Sequence, residues 1–241
     1  MNLHLLTFGA PEEKYNWTLG RLKKEAEYIK QFKSINIFTE QNIFNFCPEL
    51  ESHKFFMTKS RGFGYWIWKY FLISKLFENI SNDEVVLYLD AGSTINENGL
   101  DRLVFYYEMA IKNEMISFQM EHLENQYTKR DTYDKVFLGD EKHYQTGQIH
   151  ASCFLIKKTE NTINFIEEIK KLCTEENYHY VNDNKSIKLN EKTFIDHRHD
   201  QSIFSLLVKK YNFYFIPDET YWHPNWNNSG KEYPLWVTRI R

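Results

Sequence analysis

Two aspartates next to apolar segments are the strongest candidates for chemistry in this chain. Asp90 directly follows the apolar run VVLYL within residues 85–96. A carboxylate at a strand end can bind a hard cation, and Gly92 close by lets a bulky ligand approach the backbone. We therefore predict Asp90 as a catalytic, ligand-binding and metal-binding residue. The alternative is that its carboxylate only caps the next turn.

The second aspartate, Asp200, lies in HRHDQS at residues 197–202, directly before an apolar helix. Its carboxylate either caps that helix or projects into a cleft, where it could take a proton from a hydroxyl group. We predict Asp200 as the catalytic base.

Glycines, cations and aromatic rings alternate in residues 61–72, RGFGYWIWKYFL. Arg61, Trp66 and Lys69 could present fixed positive charge and a stacking surface to a phosphate or a sugar. A helix beginning near Gly64 would also offer free backbone amides to an anion. The alternative is that the rings, Trp68 among them, pack in the core.

Further candidates lie in polar segments. Residues 124–148 are predicted to be loop-like, with one helical turn at most and room for an acceptor, and TKRD at 128–131 sets two cations beside a carboxylate. A solvated charged face is the alternative for that cluster. In the tail, His223 is a candidate metal ligand, although a lone histidine in a loop is more often structural. The residues predicted to bind an acceptor or a phosphate are Lys129, Arg130, Asp131, Gln148 and Lys231.

Alternating strands and helices are predicted to position these residues. The hydrophobic patterns predict strands over residues 4–8, 34–40, 84–90, 115–120, 149–158 and 212–217, and helices over 17–33, 64–80, 99–113, 159–175 and 200–211. Thr159 or Asn161 is the expected cap of the fourth helix. This alternation predicts an α/β fold with a mostly parallel sheet, whose strand ends are where ligands collect.

Composition limits the classes of function. The 241 residues fit a single domain, and a formal net charge of -3 argues against a nucleic-acid partner. The three cysteines, Cys47, Cys153 and Cys173, lack metal-ligand spacing and are expected to be reduced thiols. No basic leader precedes the first strand, and no run approaches the roughly 20 apolar residues of a spanning helix. We expect a cytoplasmic protein with at most peripheral membrane contact.

Three segments, GYWIWKY, YLDAG and HRHDQS, occur in this order and carry a family resemblance. They resemble motifs of small bacterial GT-A glycosyltransferases from capsule and O-antigen loci, over about residues 3–224. The resemblance implies a GT-A, Rossmann-like sheet in one domain, residues 1–241. About 1–118 would bind the nucleotide sugar, and about 119–241 would bind the acceptor and complete the catalytic site.

The same resemblance implies a hexosyltransferase that moves a sugar from a nucleoside diphosphate donor, with UDP favoured, to a growing surface glycan or lipid-linked glycan. Relatives associated with galactofuranose transfer make UDP-galactofuranose an implied donor. Thr7 and Gly9 would meet the nucleotide, and Mn²⁺ or Mg²⁺ would lie near Asp90. The enzyme itself would work at the inner face of the membrane. Two departures stand out: Tyr70 replaces a proline, and DAG replaces the DxD metal motif.

Two other classes of function fit the residues. A non-catalytic carbohydrate- or nucleotide-binding protein would use the aromatic segments as a binding surface. A nucleotidyltransferase could use a similar sheet, but the sequence lacks the glycine-rich phosphate loops G-x-x-x-x-G-K-[ST] and G-x-G-x-x-G.

Overall fold

A computed structural model describes residues 1–240 of the chain and contains one large sheet. Its strands and those of a small second sheet are β1 (Leu3–Phe8), β2 (Ser34–Phe38), β3 (Val85–Leu89), β4 (Thr94–Ile95), β5 (Met115–Leu123), β6 (Gly147–Ile149), β7 (Cys153–Lys157), β8 (Phe215–Pro217) and β9 (Leu235–Trp236). The large sheet has the order β2-β1-β3-β7-β5-β6, with β8 beside β5, and β4 pairs with β9.

Strand directions confirm a mixed, mostly parallel sheet. The pairs β1–β2, β1–β3 and β5–β8 are parallel, whereas β7 is antiparallel to both β3 and β5, and β6 is antiparallel to β5. Strands β1, β2, β3, β5 and β8 therefore point the same way, and their carboxyl ends meet at one edge. The predicted strand over residues 149–158 is interrupted, because residues 150–152 separate β6 from β7.

Helices cover both faces of this sheet, as the α/β prediction requires. The helical segments are α1 (Glu12–Ile29), α2 (Ile43–Phe46), α3 (Lys54–Lys59), α4 (Arg61–Tyr65, a single turn whose backbone is left-handed from residue 62), α5 (Trp68–Asn79), α6 (Leu100–Asn113), α7 (Glu124–Tyr127), α8 (Arg130–Phe137), α9 (Glu160–Tyr178) and α10 (Asp200–Lys210), with 3-10 turns at Pro48–His53 and Glu97–Gly99. Among the helices of residues 1–240, none is both long and apolar enough to cross a bilayer.

Side chains on the two faces of the sheet pack into two separate apolar cores. Leu6 of β1 and Tyr88 of β3 pack toward α5, α9 and α10, whereas Leu5 and Leu87 pack toward α1 and α6. Strands buried on both faces read as continuous apolar runs, which is why VVLYL is apolar at every position. The three cysteines form no disulfide, and all three are buried.

Several predicted elements need correction. The helix expected from residue 64 is replaced by a left-handed turn followed by α5, and the first helix starts five residues earlier than expected, at Glu12. Residues 124–148 contain α7 and α8 instead of being mostly loop. The expected cap of α9 is confirmed, since the Thr159 side chain accepts from the amide of Thr162.

Candidate active site

A buried ion pair forms the centre of the candidate site. The Lys69 ammonium, on α5, lies 2.7 Å from Asp200 Oδ2, at the first turn of α10, and also donates to the carbonyl of Ala151 (2.8 Å). Tyr70 Oη donates to the same carboxylate oxygen (3.1 Å). Asp200 is 4% exposed. Its side chain does not cap α10, so the capping alternative for Asp200 is wrong.

Burial is the main influence on the Asp200 carboxyl group. Burial raises its pKa; Lys69 opposes that rise, and the negative charge of Asp90 adds to it, so that the pKa lies above its ordinary value. Asp90 and Asp200, which are 110 positions apart in the chain, therefore act on one another electrostatically. The fold brings together the two carboxylates that the sequence singled out.

Asp90 stands at the carboxyl end of β3 with one carboxylate oxygen engaged. Tyr88 Oη donates to its Oδ1 (2.6 Å), and no other residue in 1–240 donates to this carboxylate. The turn after Asp90 closes through its carbonyl, which accepts from the amide of Ser93 (2.9 Å). The Asp90 carboxylate does not cap this turn, because it accepts only from Tyr88 and not from the turn's amides. Asp90 is partly exposed. The Lys69 ammonium lies 4.7 Å from the Tyr88 ring centre, which joins this carboxylate to the ion pair.

A left-handed turn presents the aromatic side chains of residues 61–66. All residues from 62 to 66 have φ between 51° and 88°. This turn stacks Trp66 on His199 at 5.7 Å between ring centres and brings Tyr65 to 4.7 Å from the same ring. Arg61 lies 5.9 Å over Trp66. Arg61, Trp66 and Lys69 are thus grouped around the beginning of α10.

The loop after Asp90 is clamped from two sides. Arg21 of α1 donates to the carbonyl of Ser93 (2.6 Å). From the other side, the tail reaches the carbonyl of Gly92 with Thr238 Oγ1 (2.8 Å) and the Ile240 amide (2.9 Å). A Cβ at Gly92 would lie 2.7 Å from the Ile240 carbonyl, so this contact requires glycine.

Thr7 and Gly9 lie at the carboxyl end of β1, the neighbour of β3. Thr7 is fully buried, and its hydroxyl has no hydrogen-bond partner within residues 1–240. A Cβ at Gly9 would meet Tyr15 at 2.5 Å, so glycine is needed for the close approach of the chain to α1. Burial and then Asp90 raise the pKa of Tyr88, and Tyr15 is close enough to contribute to that rise, which places this loop beside the site.

A third carboxylate at the same edge was missed in the sequence. Asp218 directly follows β8 and lies 3.5 Å from Nε2 of the buried His150. Burial alone would raise the pKa of Asp218, but the hydrogen bond and charge of His150, together with Thr220, hold it below its ordinary value. The charges of Asp218 and Asp90 both add to the effect of burial in raising the pKa of Cys153. The signal was available, because Asp218 follows FIP as Asp90 follows VVLYL.

Two arginines near the site were also missed. Arg198, two residues before Asp200, lies 4.3 Å over the Tyr127 ring, and Arg239 lies 5.4 Å over Tyr221 next to the Gly92 loop. After burial, the charges of both arginines lower the pKa of His122, so they face a common region. Within residues 1–240, neither guanidinium has a carboxylate within 4 Å. They supply positive charge that is not neutralised by an ion pair.

The TKRD cluster lies elsewhere and holds a loop. Lys129 is buried and donates to the carbonyls of His179, Asn182 (3.1 Å) and Asn184 (3.3 Å), and burial lowers its pKa to about 8. Arg130 pairs with Asp134 at 2.8 Å. These groups are occupied by protein contacts, so the structure gives them a structural role instead of that of a solvated face.

The Asp131 carboxylate is occupied in the same way. It accepts from backbone amides of residues 187 and 188 and from His179 Nε2 (2.8 Å). Burial favours its neutral form, yet these hydrogen bonds outweigh burial and hold its pKa below the ordinary value.

Gln148 and the tail residues differ in exposure. Gln148 is fully buried, donates to Thr128 Oγ1 (2.9 Å) and accepts from Gln201 (2.9 Å) just after Asp200. Lys231 and His223 are exposed. Within residues 1–240, no three His, Cys, Asp or Glu side chains are grouped as a metal site, so Asp90 and His223 do not belong to a preformed set of three such ligands.

Comparison with known proteins gives only distant similarity. No protein-family model and no curated protein matches this sequence. Among solved structures, mouse xyloside xylosyltransferase 1 has a TM-score of 0.48 at 11% identity, covering 90% of this chain and 83% of that one. A glycosyltransferase involved in glycosylation of the major capsid of PBCV-1 has a TM-score of 0.47 at 12% identity, covering 97% and 91%.

The galactosyltransferase LgtC, solved with donor and acceptor sugar analogues, has a TM-score of 0.44 at 14% identity and covers 85% and 70% of the two chains. All three proteins are named as glycosyltransferases. With TM-scores below 0.5, these similarities carry no argument about the chemistry of this chain, which depends on its own side chains.

Proposed function

We propose that this protein is a glycosyltransferase that moves a sugar from a nucleoside diphosphate sugar, with UDP favoured, to a hydroxyl group of a growing surface glycan. This proposal rests on one observation. Asp90, which is partly exposed at the end of β3, lies close enough to the buried Asp200–Lys69 pair to raise the pKa of Asp200. The acceptor would be a glycan or a lipid-linked glycan at the cytoplasmic face of the membrane.

The chemistry proposed for the site is a displacement at the anomeric carbon. The acceptor oxygen forms a bond to that carbon, the bond to the diphosphate oxygen breaks, and the nucleoside diphosphate leaves with the electron pair. The acceptor proton passes to Asp200. The raised pKa of Asp200 makes it a stronger proton acceptor than an exposed aspartate. This role predicts inversion at the anomeric carbon, since one base serves a single displacement.

Positive charge for the leaving diphosphate would come from Arg198 and Arg239, which have no ion-pair partners within residues 1–240. Lys69 would orient Asp200 through the 2.7 Å contact. Trp66, stacked on His199 beside Asp200, offers a ring face to a sugar.

A divalent cation fits this site through Asp90. Asp90 Oδ2 accepts no hydrogen bond from residues 1–240, and Mg²⁺ is commonly bound by one or two carboxylates together with substrate phosphates. Mn²⁺ or Mg²⁺ held by Asp90 would neutralise charge on the diphosphate when bound. His223 is the second proposed ligand and would have to join from the exposed tail.

A thermal-shift panel of UDP, GDP, CMP and TDP, each with and without Mn²⁺, tests the donor class. Saturation at about 100 times Kd adds about 2.7 kcal/mol to the free energy of unfolding. We expect a Mn²⁺-dependent rise in Tm with one nucleotide, which Asp90→Asn abolishes. A rise that is independent of both Mn²⁺ and Asp90 would favour the alternative, a non-catalytic nucleotide-binding protein.

A further inference from the structure

The three-residue segment between β6 and β7, residues 150–152, connects the charged groups of the candidate site. His150 Nε2 lies 3.5 Å from Asp218 Oδ1. The next two carbonyls of the segment accept from the ammonium of the buried ion pair (2.8 Å) and from the Asp90 amide (2.9 Å). Consecutive Cα atoms are about 3.8 Å apart, so these three contacts start within about 8 Å of one another. Asp218 therefore belongs to the same site.

Protein contacts fix the Asp218 carboxylate through one of its two oxygens. Thr220 donates to Asp218 Oδ1 with its amide (2.8 Å) and with its hydroxyl (2.7 Å). Because that hydroxyl proton points to the carboxylate, the Thr220 oxygen accepts from His150 Nε2 (3.1 Å). The His150 ring is 4% exposed and stacks on Phe118 at 5.8 Å between ring centres. A buried imidazole and a hydroxyl thus hold Oδ1 in place.

The second oxygen, Asp218 Oδ2, accepts no hydrogen bond from residues 1–240, and the side chain is 22% exposed. An ionised carboxylate only accepts hydrogen bonds, so a partner of Oδ2 must be a donor. Burial alone would raise the pKa of Asp218, but His150 and Thr220 hold it below its ordinary value, whereas burial raises the pKa of Asp200. Carboxylates in one site whose pKa values are separated in this way take different roles. Asp200 is suited to take a proton, and Asp218 is suited to stay charged and bind.

The order of the strands places Asp218 on the side of Asp90 that is away from β1. Strands β7 and β5 separate β3, which precedes Asp90, from β8, which precedes Asp218. Three strand spacings of about 4.8 Å put the two strand ends about 14 Å apart. The nucleotide and its diphosphate are proposed to lie over the ends of β1 and β3. A sugar beside Asp218 would therefore lie beyond the diphosphate, where the acceptor enters.

We propose that Asp218 binds the acceptor sugar, with Oδ2 accepting a hydrogen bond from one of its hydroxyl groups. His150 and Thr220 are positioning residues, because they act on the acceptor only through Asp218 Oδ1. This inference rests on the proposed glycosyl transfer and adds to it the side chain that recognises the acceptor. No atom of Asp218 takes part in bond formation or cleavage.

Transfer to methyl β-galactopyranoside, methyl β-glucopyranoside and their monodeoxy forms tests this role, with the donor that wild type turns over. We expect Asp218→Asn to raise the KM of the acceptor at least about tenfold and to raise that of the donor by less. One monodeoxy acceptor should cost wild type a similar factor, and Asp218→Asn should not distinguish that acceptor from its parent. Asp83→Asn is the matched control, since this carboxylate is 78% exposed at the amino end of β3, and it should behave as wild type does.

An acceptor KM that Asp218→Asn leaves at the wild-type value would overturn the inference, as would a loss in this variant that adds to the loss from every deoxy form. If Tm shows that Asp218→Asn is unfolded, Thr220→Val takes its place and should raise the acceptor KM at a kcat near that of wild type.

Failure of the proposed function gives a different result, because wild type would then turn over none of the donors. Saturation-transfer NMR of the same glycosides, with UDP and Mn²⁺ present, still tests Asp218 in that case. Binding to wild type that Asp218→Asn loses and Asp83→Asn keeps would support its role in holding a sugar hydroxyl. Equal binding to Asp218→Asn and wild type, or no binding to wild type, would overturn that role.

Discussion

Lys69 and Asp200 depend on one another because both are enclosed by protein. Their side chains are 2% and 5% exposed, and the aromatic rings of Tyr70 and Tyr88 lie beside the ammonium. Removing one partner of a buried ion pair leaves the other charge without compensation, which typically costs about 3–5 kcal/mol. The pair is expected to hold the two helices α5 and α10 in register as well as to serve the proposed reaction.

Lys69→Met is therefore expected to lower the free energy of unfolding by about 3 kcal/mol or more. In the double variant Lys69→Met/Asp200→Asn, the loss should be smaller than the sum of the single losses by about 0.5–3 kcal/mol. Urea denaturation of the four proteins measures this coupling. Lys75→Met, on the same helix but partly exposed, is the control, and strictly additive losses would contradict the coupling.

The left-handed turn at residues 62–66 is the element that most distinguishes the site from an ordinary strand–helix unit. Gly64 has φ of +88°, and a Cβ there would lie 2.7 Å from the Met57 side chain and 3.0 Å from its Cα. The turn carries Trp66 to His199 and leads directly into the helix that bears Lys69. Its shape thus decides where the aromatic surface lies.

Gly64→Ala should cost about 1–3 kcal/mol of stability, because alanine disfavours a left-handed backbone and would clash with Met57. Gly20→Ala is the matched control: Gly20 is exposed in α1, and a Cβ there meets nothing within 4 Å. The control should stabilise the protein by about 0.5–1 kcal/mol. Equal Tm changes for the two variants would refute the role assigned to the turn.

At the scale of the molecule, buried histidines set the response to acid. Burial is the largest cause that lowers the pKa values of His4, His197 and His199, although Glu84 opposes it at His4. As the pH falls, these histidines are therefore protonated in the unfolded chain before they are protonated in the folded protein. The stability that neutral histidines contribute is complete above their unfolded pKa of 6.5 and is lost as the pH falls below it. Asp200 has the opposite effect, because its raised pKa in the folded protein favours folding as the pH falls, but it is a single group against three histidines.

We expect the free energy of unfolding to fall between about pH 7.5 and about pH 5.5, in the range above the titration of most carboxylates. Denaturant titrations at both pH values measure the difference. His197→Gln, which removes one of these buried imidazoles, should show a smaller pH dependence than wild type. A free energy that is flat or rises on acidification would contradict this account.

The sequence predicted candidate site residues that adjoin an apolar strand or helix, but it did not predict the unusual backbone of residues 62–66. Asp90 was found because an unbroken apolar strand precedes it, and Asp200 because an apolar helix follows it. The left-handed turn was not foreseen, since Phe63, Tyr65 and Trp66 have side chains that disfavour positive φ and are typical of a helix or strand.

Tertiary contacts explain the remaining differences. TKRD looked like a phosphate site because no local pattern shows that Lys129 binds carbonyls about 50 residues later in the chain. The reversal of β7 was equally hidden, because strand direction is set by the path of the connection and not by the apolar run itself.

Release of nucleoside diphosphate from UDP-, GDP- and TDP-sugars in the presence of Mn²⁺, with glycan acceptors, is the measurement that tests the proposed glycosyltransferase most directly. Wild type should turn over one donor class, and both Asp90→Asn and Asp200→Asn should lose about 10²–10³ in kcat while remaining folded. The anomeric proton of the product should report inversion. Turnover by both variants within a few fold of wild type, or retention in the product, would contradict the roles assigned to these two carboxylates.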